Sequence, residues 1–200
     1  TDEALAYIES NKDNPFFLYL SHFAVHDPVQ GRPDLVDQYE EKLSKMSENP
    51  NPVFILEGNP DDANPLSREE LNALIDEPGY EGQLNLPRRT VKISQRQDNV
   101  EFAGMVESMD ESLGRVRAKL AELGIAENTI IIFFSDNGGM AGKNARRTDN
   151  LNKQKKKMKY SMKYSTWSSR AKVPLGGFST SNLPLRGAKG WLYEGGIRVP

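Results

Sequence analysis

The chain contains no cysteine. Disulfides, thiolate metal ligands and a cysteine nucleophile are therefore excluded from these 200 residues, and the redox compartment cannot be read from them. Histidine is nearly as scarce, with His22 and His26 the only two. Long apolar runs are missing as well. No stretch approaches the ~20 apolar residues of a membrane-spanning helix, so no membrane span is expected. An initiator methionine is also lacking. The chain opens inside a helix-like segment and stops at Gly196-Ile-Arg-Val-Pro200, within a strand-like run. We therefore expect an internal piece of a longer protein, long enough to hold a real core but an incomplete domain. Net charge is low, at −2, yet it is unevenly spread. Lys143 to Lys172 holds eleven Lys or Arg against one acid, Asp149.

What is present is organised around two apolar runs. Ile130-Ile-Ile-Phe-Phe134 is continuous, β-prone and followed at once by Ser135-Asp-Asn-Gly-Gly139. A continuous apolar run suits a strand buried on both faces, as in a parallel sheet under helices. Polar residues and glycines at its end lie where open α/β sheets bind ligands. Phe16-Phe-Leu-Tyr-Leu20 has the same design and leads into Ser21-His-Phe-Ala-Val-His-Asp-Pro28.

Between and around these runs the chain alternates helix and excursion. Glu3–Lys12 reads as the end of a helix. Pro33–Met46 reads as a helix with proline in its first turn and Leu35, Tyr39 and Leu43 at four-residue spacing. Residues 49–96 are rich in Pro, Asn and Gly and read as an insertion-like excursion. Within them a short helix starts at Ser67, with Glu70 completing a capping box. Asp98–Leu123 carries the strongest helical periodicity, with Gly124 as its natural stop. Residues 142–181 read as a basic loop. Strand, helix and strand with short connections indicate an α/β layered sheet.

Four residues stand out as candidates for chemistry. Asp136 and Asn137 offer a carboxylate and an amide oxygen, donors that suit Ca²⁺ or Mg²⁺, although Ser-Asp-Asn-Gly is also ordinary turn chemistry. His26, just beyond a strand, could act as acid, ligand or hydrogen-bonding partner. Lys189, between glycines in Gly187-Ala-Lys-Gly190, could neutralise an anion, or could be a solvated loop lysine. Asp61-Asp62 are paired acids set among prolines, which favours a surface loop. The Lys153–Lys163 run could bind a polyanion or be a solvated basic face. No nucleic-acid fold signature accompanies it, so no nucleic acid is expected.

Taken together, the segments resemble the sulfatase family of the alkaline phosphatase superfamily. The resemblance rests on Pro15–Pro28, on Glu107-Ser-Met-Asp-Glu-Ser-Leu-Gly-Arg115, on Asn128–Gly139, and on Leu183-Pro-Leu-Arg-Gly-Ala-Lys-Gly190 followed by Tyr193-Glu-Gly-Gly-Ile-Arg-Val-Pro200. It implies an alkaline-phosphatase-like fold with a mixed, mostly parallel sheet flanked by helices. Residues 1–200 would then be part of a single catalytic domain whose N-terminal part, with the nucleophile, and C-terminal subdomain are missing. It further implies hydrolysis of a sulfate ester at a divalent metal, usually Ca²⁺, by a formylglycine nucleophile expected in the missing N-terminal part. The substrate would be a sulfated small molecule or polysaccharide, and the compartment periplasmic or extracellular. Position by position, Asp136 and Asn137 would be metal ligands, Lys189 would bind a sulfate oxygen, and His26 would contact the sulfate and protonate the leaving alcohol. His22 matches no role and is left structural.

The sequence departs from the family pattern at the nucleophile. No Cys or Ser followed by x-Pro-x-Arg occurs, and Asn182-Leu-Pro-Leu-Arg186 has Asn at the first place. The piece alone is accordingly expected to be inactive. Two other readings stay open: a phosphate or phosphonate ester hydrolase of the same superfamily, and a non-catalytic polyanion-binding protein using the Lys-rich loop. Oligomeric state is not legible.

Overall fold

A computed structural model of the protein describes residues 1–26, 28–48, 50, 54–58, 63–67, 69–71, 90–144 and 180–199. The chain divides into two compact units that interleave in sequence. The first comprises Thr1–Glu48 and Asp98–Ser135, the second Asn49–Gln97 and Asp136–Val199.

The first unit is helical, with α1 (Asp2–Ser10), α2 (Pro33–Ser44), α3 (Val100–Glu122) and one 3₁₀ turn (Ala126–Asn128). The long α3 forms because apolar side chains recur every three or four residues along it and its first turn is capped. The Asn99 side chain accepts from the Phe102 amide at 3.1 Å, satisfying one of the orphan donors of the first turn. Both α1 and α2 pack on α3, burying Ala4, Ile8, Leu35, Met105 and Leu120. The segment entering α2 is stitched to α3 by backbone donors. The Gly31 amide donates to the Glu101 carboxylate at 2.6 Å and the Gln30 amide to the Met105 sulfur at 3.2 Å. Arg32 spans Asp34 and Glu111, at 2.6 Å from each. Its hydrogen bonds hold both carboxyls below their usual range. The Tyr39 hydroxyl donates to Glu107 at 2.7 Å, which pushes the phenol above its usual range. The buried Ser112 hydroxyl lies 2.7 Å from Thr1 Oγ1 and 3.4 Å from His22 Nε2, so His22 serves as a partner for a core polar group.

The two apolar runs belong to this unit and differ from the expectation. Phe16–Leu20 and Ile130–Phe134 carry no regular secondary structure, and neither is hydrogen-bonded into a sheet among the described residues. Nor are they buried on both faces. Phe17 is 85% exposed, Ile130 89% and Ile132 82%, while Phe16 and Leu18 are half-buried. Phe16 packs edge-on against Tyr7 of α1. An apolar run becomes a doubly buried strand only when ladder partners flank it and layers cover both faces. Among the described residues no ladder partner flanks either run.

The second unit contains a three-stranded sheet in the order β1 (Phe54–Gly58), β2 (Thr90–Ser94), β3 (Gly142–Asn144). Both pairings are antiparallel, with Ile55 opposite Ile93 and Ile93 opposite Gly142. Among the described residues there is thus no parallel pairing of the kind expected. Residues 49–96 are not simply an irregular excursion, since they supply β1 and β2. The basic loop begins with β3. The Ser67 capping box is present: the Ser67 amide donates to the Glu70 carboxylate at 2.8 Å and the Glu70 amide to Ser67 Oγ at 3.1 Å. It opens the helical turn 69–71, whose Leu71 is fully buried. The strand-like end of the chain instead contains a short helix, α4 (Glu194–Ile197). Asp61, Asp62 and the Lys153–Lys163 run lie outside the described residues.

Candidate active-site segments

The second unit gathers two of the segments singled out from the sequence. The first is the turn at Asp136-Asn-Gly-Gly139, in which Asp136 is exposed and Asn137 half-buried. Its backbone is gripped from one side. The Gly138 amide donates to the Gly196 carbonyl at 2.9 Å, and a side chain on Gly138 would overlap the Gly195 carbonyl. Glycine is required at Gly138 by this close approach. The Gly139 carbonyl receives the Lys189 amide at 3.0 Å and the Asn182 side-chain nitrogen at 2.8 Å.

The second segment is the loop that carries Lys189. Gly187 and Ala188 are buried, and Lys189 is half-buried. The loop is closed by the Gly195 amide on the Arg186 carbonyl at 2.6 Å and the Trp191 amide on the Ala188 carbonyl at 3.1 Å. At its root, the Arg186 guanidinium stacks on the Tyr193 ring, 4.1 Å from its centroid. The same group sits 3.9 Å from the Glu57 carboxylate on β1. Glu57 is 4% exposed, and a carboxylate this buried requires a partner of opposite charge or good donors. The structure therefore brings the Lys189 backbone onto the turn of Asp136 and Asn137.

His26 belongs to the first unit. It is exposed, its amide donates to the Phe23 carbonyl at 3.0 Å, and its ring tilts against Phe23 with 5.6 Å between centroids.

Asp136 and Asn137 suit a hard divalent cation in kind, since one is a carboxylate and the other an amide oxygen. They fall short of one in number. Ca²⁺ takes about 6–8 oxygens, and no group of three or more His, Asp or Glu able to hold a metal occurs among the described residues.

Three residues with structural leverage on these segments do not stand out in the sequence as such. Glu57 is an acid within the apolar run Phe54-Ile-Leu-Glu-Gly58, an irregularity that could have flagged it. Asn182 draws notice only as the wrong first residue of a Cys/Ser-x-Pro-x-Arg pattern, and Arg186 only as part of the Leu183–Gly190 run that carries the family resemblance, with no role of its own. Asn182 nevertheless donates to carbonyls of three different segments.

Comparison with known proteins agrees along the whole chain. A sequence model of the Sulfatase family matches residues 1–200. A sulfatase of Formosa agariphila is 28% identical over 209 residues, covering 100% of this chain and 23% of that protein. The multifunctional alkaline phosphatase superfamily protein PehA of Trinickia caryophylli is 29% identical, over 71% of this chain and 27% of its own length. An arylsulfatase of Klebsiella aerogenes is 28% identical, over 64% and 26% respectively. The chain thus spans about a quarter of the length of these relatives. With the family matched from its first residue to its last, the chain belongs to the sulfatase family.

Proposed function

We propose that this chain supplies part of the active site of a sulfuric ester hydrolase. The observation that carries the reading is the contact of the Lys189 amide with Gly139, which joins the glycine-flanked lysine to the Asp136–Asn137 turn in a chain matched throughout by the sulfatase family. A sulfate ester's transition state spreads negative charge over the sulfuryl oxygens and builds it on the leaving oxygen. Lys189 neutralises the first as a point charge with little steric obstruction. His26 gives a proton to the leaving alcohol as general acid. Asp136 and Asn137 hold a divalent cation, Ca²⁺ or Mg²⁺, together with ligands from beyond the described residues. Bound there, the cation would add electrostatic stabilisation of the sulfuryl oxygens. The nucleophile is a formylglycine outside these 200 residues, and the compartment is periplasmic or extracellular. On the same reading Phe16–Leu20 and Ile130–Phe134 are strands of a mostly parallel sheet, an assignment supported by their continuous apolar, β-prone sequence.

The favoured substrate is a sulfated sugar or polysaccharide. The support is the cluster of eleven Lys or Arg against one acid in Lys143–Lys172, whose charge would hold neighbouring sulfates. Neutralising Lys155–Lys157 should raise KM on a sulfated polymer and leave a small aryl sulfate unaffected; equal effects on both would count against it.

A second reading, phosphate or phosphonate ester hydrolysis, is favoured by the similarity to PehA, a protein described as multifunctional. One experiment addresses both. In the enzyme that carries this chain, Lys189→Ala, Asp136→Ala and His26→Ala are assayed on aryl sulfate, phosphate and phosphonate esters. Losses of about 10²–10⁴ in kcat/KM on the sulfate are expected. Wild-type rates for all three variants would refute the site, and a higher kcat/KM on a phosphorus ester would favour the second reading.

A further inference from the structure

We propose that Asn182 is a positioning residue that locks the Lys189 loop and the Asp136–Asn137 turn into one fixed geometry; the inference rests on the reading of those residues given above. The Asn182 side-chain nitrogen faces three main-chain carbonyls. Gly139 O and Gly195 O lie at 2.8 Å each, and Gly187 O at 3.4 Å. Each acceptor belongs to a different segment: the turn two residues beyond Asn137, the start of α4, and the residue two before Lys189. The amide of Lys189 meets the same Gly139 carbonyl at 3.0 Å. One nitrogen and one carbonyl oxygen therefore set the spacing between the lysine's backbone and the turn.

Asn182 is itself anchored on β2. The hydroxyl of its buried neighbour Ser181 donates to the Ser94 carbonyl at 2.7 Å, and the Gln97 side chain donates to the Ser181 carbonyl at 2.7 Å. The two hydrogens of a carboxamide serve the two short contacts together. Aspartate has the same shape but would aim an oxygen at three carbonyl oxygens. A serine hydroxyl brings a single hydrogen on a shorter arm. Asn182 thus acts through the groups it holds, and misplacement of a binding group by about 1 Å costs on the order of 10²-fold in rate.

The test uses the enzyme that carries this chain, with Asn182→Asp and Asn182→Ser beside Lys189→Ala and Asp136→Ala. Three quantities are measured: KM and kcat on an aryl sulfate, the Ca²⁺ Kd of the metal-stripped protein by calorimetry, and the thermal midpoint. For Asn182→Asp we expect KM and the Ca²⁺ Kd to rise together, each about 10–100-fold, as when a group supporting a metal ligand is lost. Asn182→Ser should move both in the same direction by less, and it decides the matter if Asn182→Asp does not fold. A role in fold stability alone would lower the active fraction and the midpoint while leaving KM and Kd at wild-type values, and that result overturns the proposal. If Lys189→Ala raises KM and Asp136→Ala raises the Ca²⁺ Kd while the Asn182 variants move neither, only this inference fails. If Lys189→Ala leaves KM and Asp136→Ala leaves the Ca²⁺ Kd at wild-type values, the site assignment fails with it.

Discussion

At Gly138 the backbone comes so close to the Gly195 carbonyl that a methyl group would overlap it. The obstacle is main chain, which cannot swing aside as a flexible side chain can. Gly138→Ala should therefore destabilise the second unit by roughly 1–3 kcal/mol or more, the range of overpacked sites, read as a fall in the urea midpoint. A midpoint within error of wild type would show that the two segments can part without cost. The legibility of the site also divides at this scale. Asp136, Asn137, Gly138 and Lys189 draw attention from sequence because local chemistry marks them: an acid beside an amide, a glycine pair, a lysine between glycines. Asn182 does not, because its acceptors lie 43, 5 and 13 residues away. Hydrogen bonds of that range exist only once the chain has folded. Glu57 is similar, since its burial follows from the sheet and not from its neighbours in sequence.

Helix α3 illustrates what periodicity can disclose. Its apolar spacing and its end before Gly124 are local signals, and the observed Val100–Glu122 falls within the expected span. The capping box at Ser67 is legible for the same reason. Strands β1 and β2 are not, because each is only five residues long and their pairing spans a long separation in sequence. One position on α3 is suboptimal. Gly114 is exposed, with open space where a Cβ would stand. Gly114→Ala should stabilise the first unit by about 0.5–1 kcal/mol through helix propensity; destabilisation in a denaturant titration would mean that unseen neighbours occupy that space. The α2–α3 junction should respond to acid. The Asp34 and Glu111 carboxyls are held below their ordinary values of 3.8 and 4.5 by hydrogen bonds from Arg32. Groups lowered in the folded state contribute stability that is complete above their unfolded values and is lost as pH falls through the folded ones. The stability difference between wild type and Arg32→Ala should thus be constant above about pH 5 and shrink below the ordinary carboxyl values. A difference that persists unchanged at pH 2–3 would assign the effect to packing by the arginine stem. Both partners are exposed, so the effect is small.

For the whole molecule, family membership implies the α/β class of the alkaline phosphatase type, and the described helices and sheet supply both components. The chain covers about a quarter of its relatives' length. It also leaves Phe17, Tyr19, Ile130, Ile132 and Phe134 exposed. Exposed apolar segments invite association with other chains. The 200-residue chain by itself should bind an apolar dye and self-associate, with light scattering that rises with concentration. Replacing Phe17 and Ile132 by polar residues should reduce both; an unchanged signal would locate the sticky surface elsewhere. The interleaving of the two units has a consequence of a different sort, in the order of synthesis. The first unit is complete once residue 135 has emerged, whereas the second needs residues up to 199. A contiguous fragment that contains residues 1–135 also carries 49–97 of the second unit, and one that contains 49–199 also carries 98–135 of the first. During translation the residues of the helical unit up to 135 therefore emerge before the later residues of its neighbour, and the turn bearing Asp136 is among the first residues that must wait for the rest of the chain.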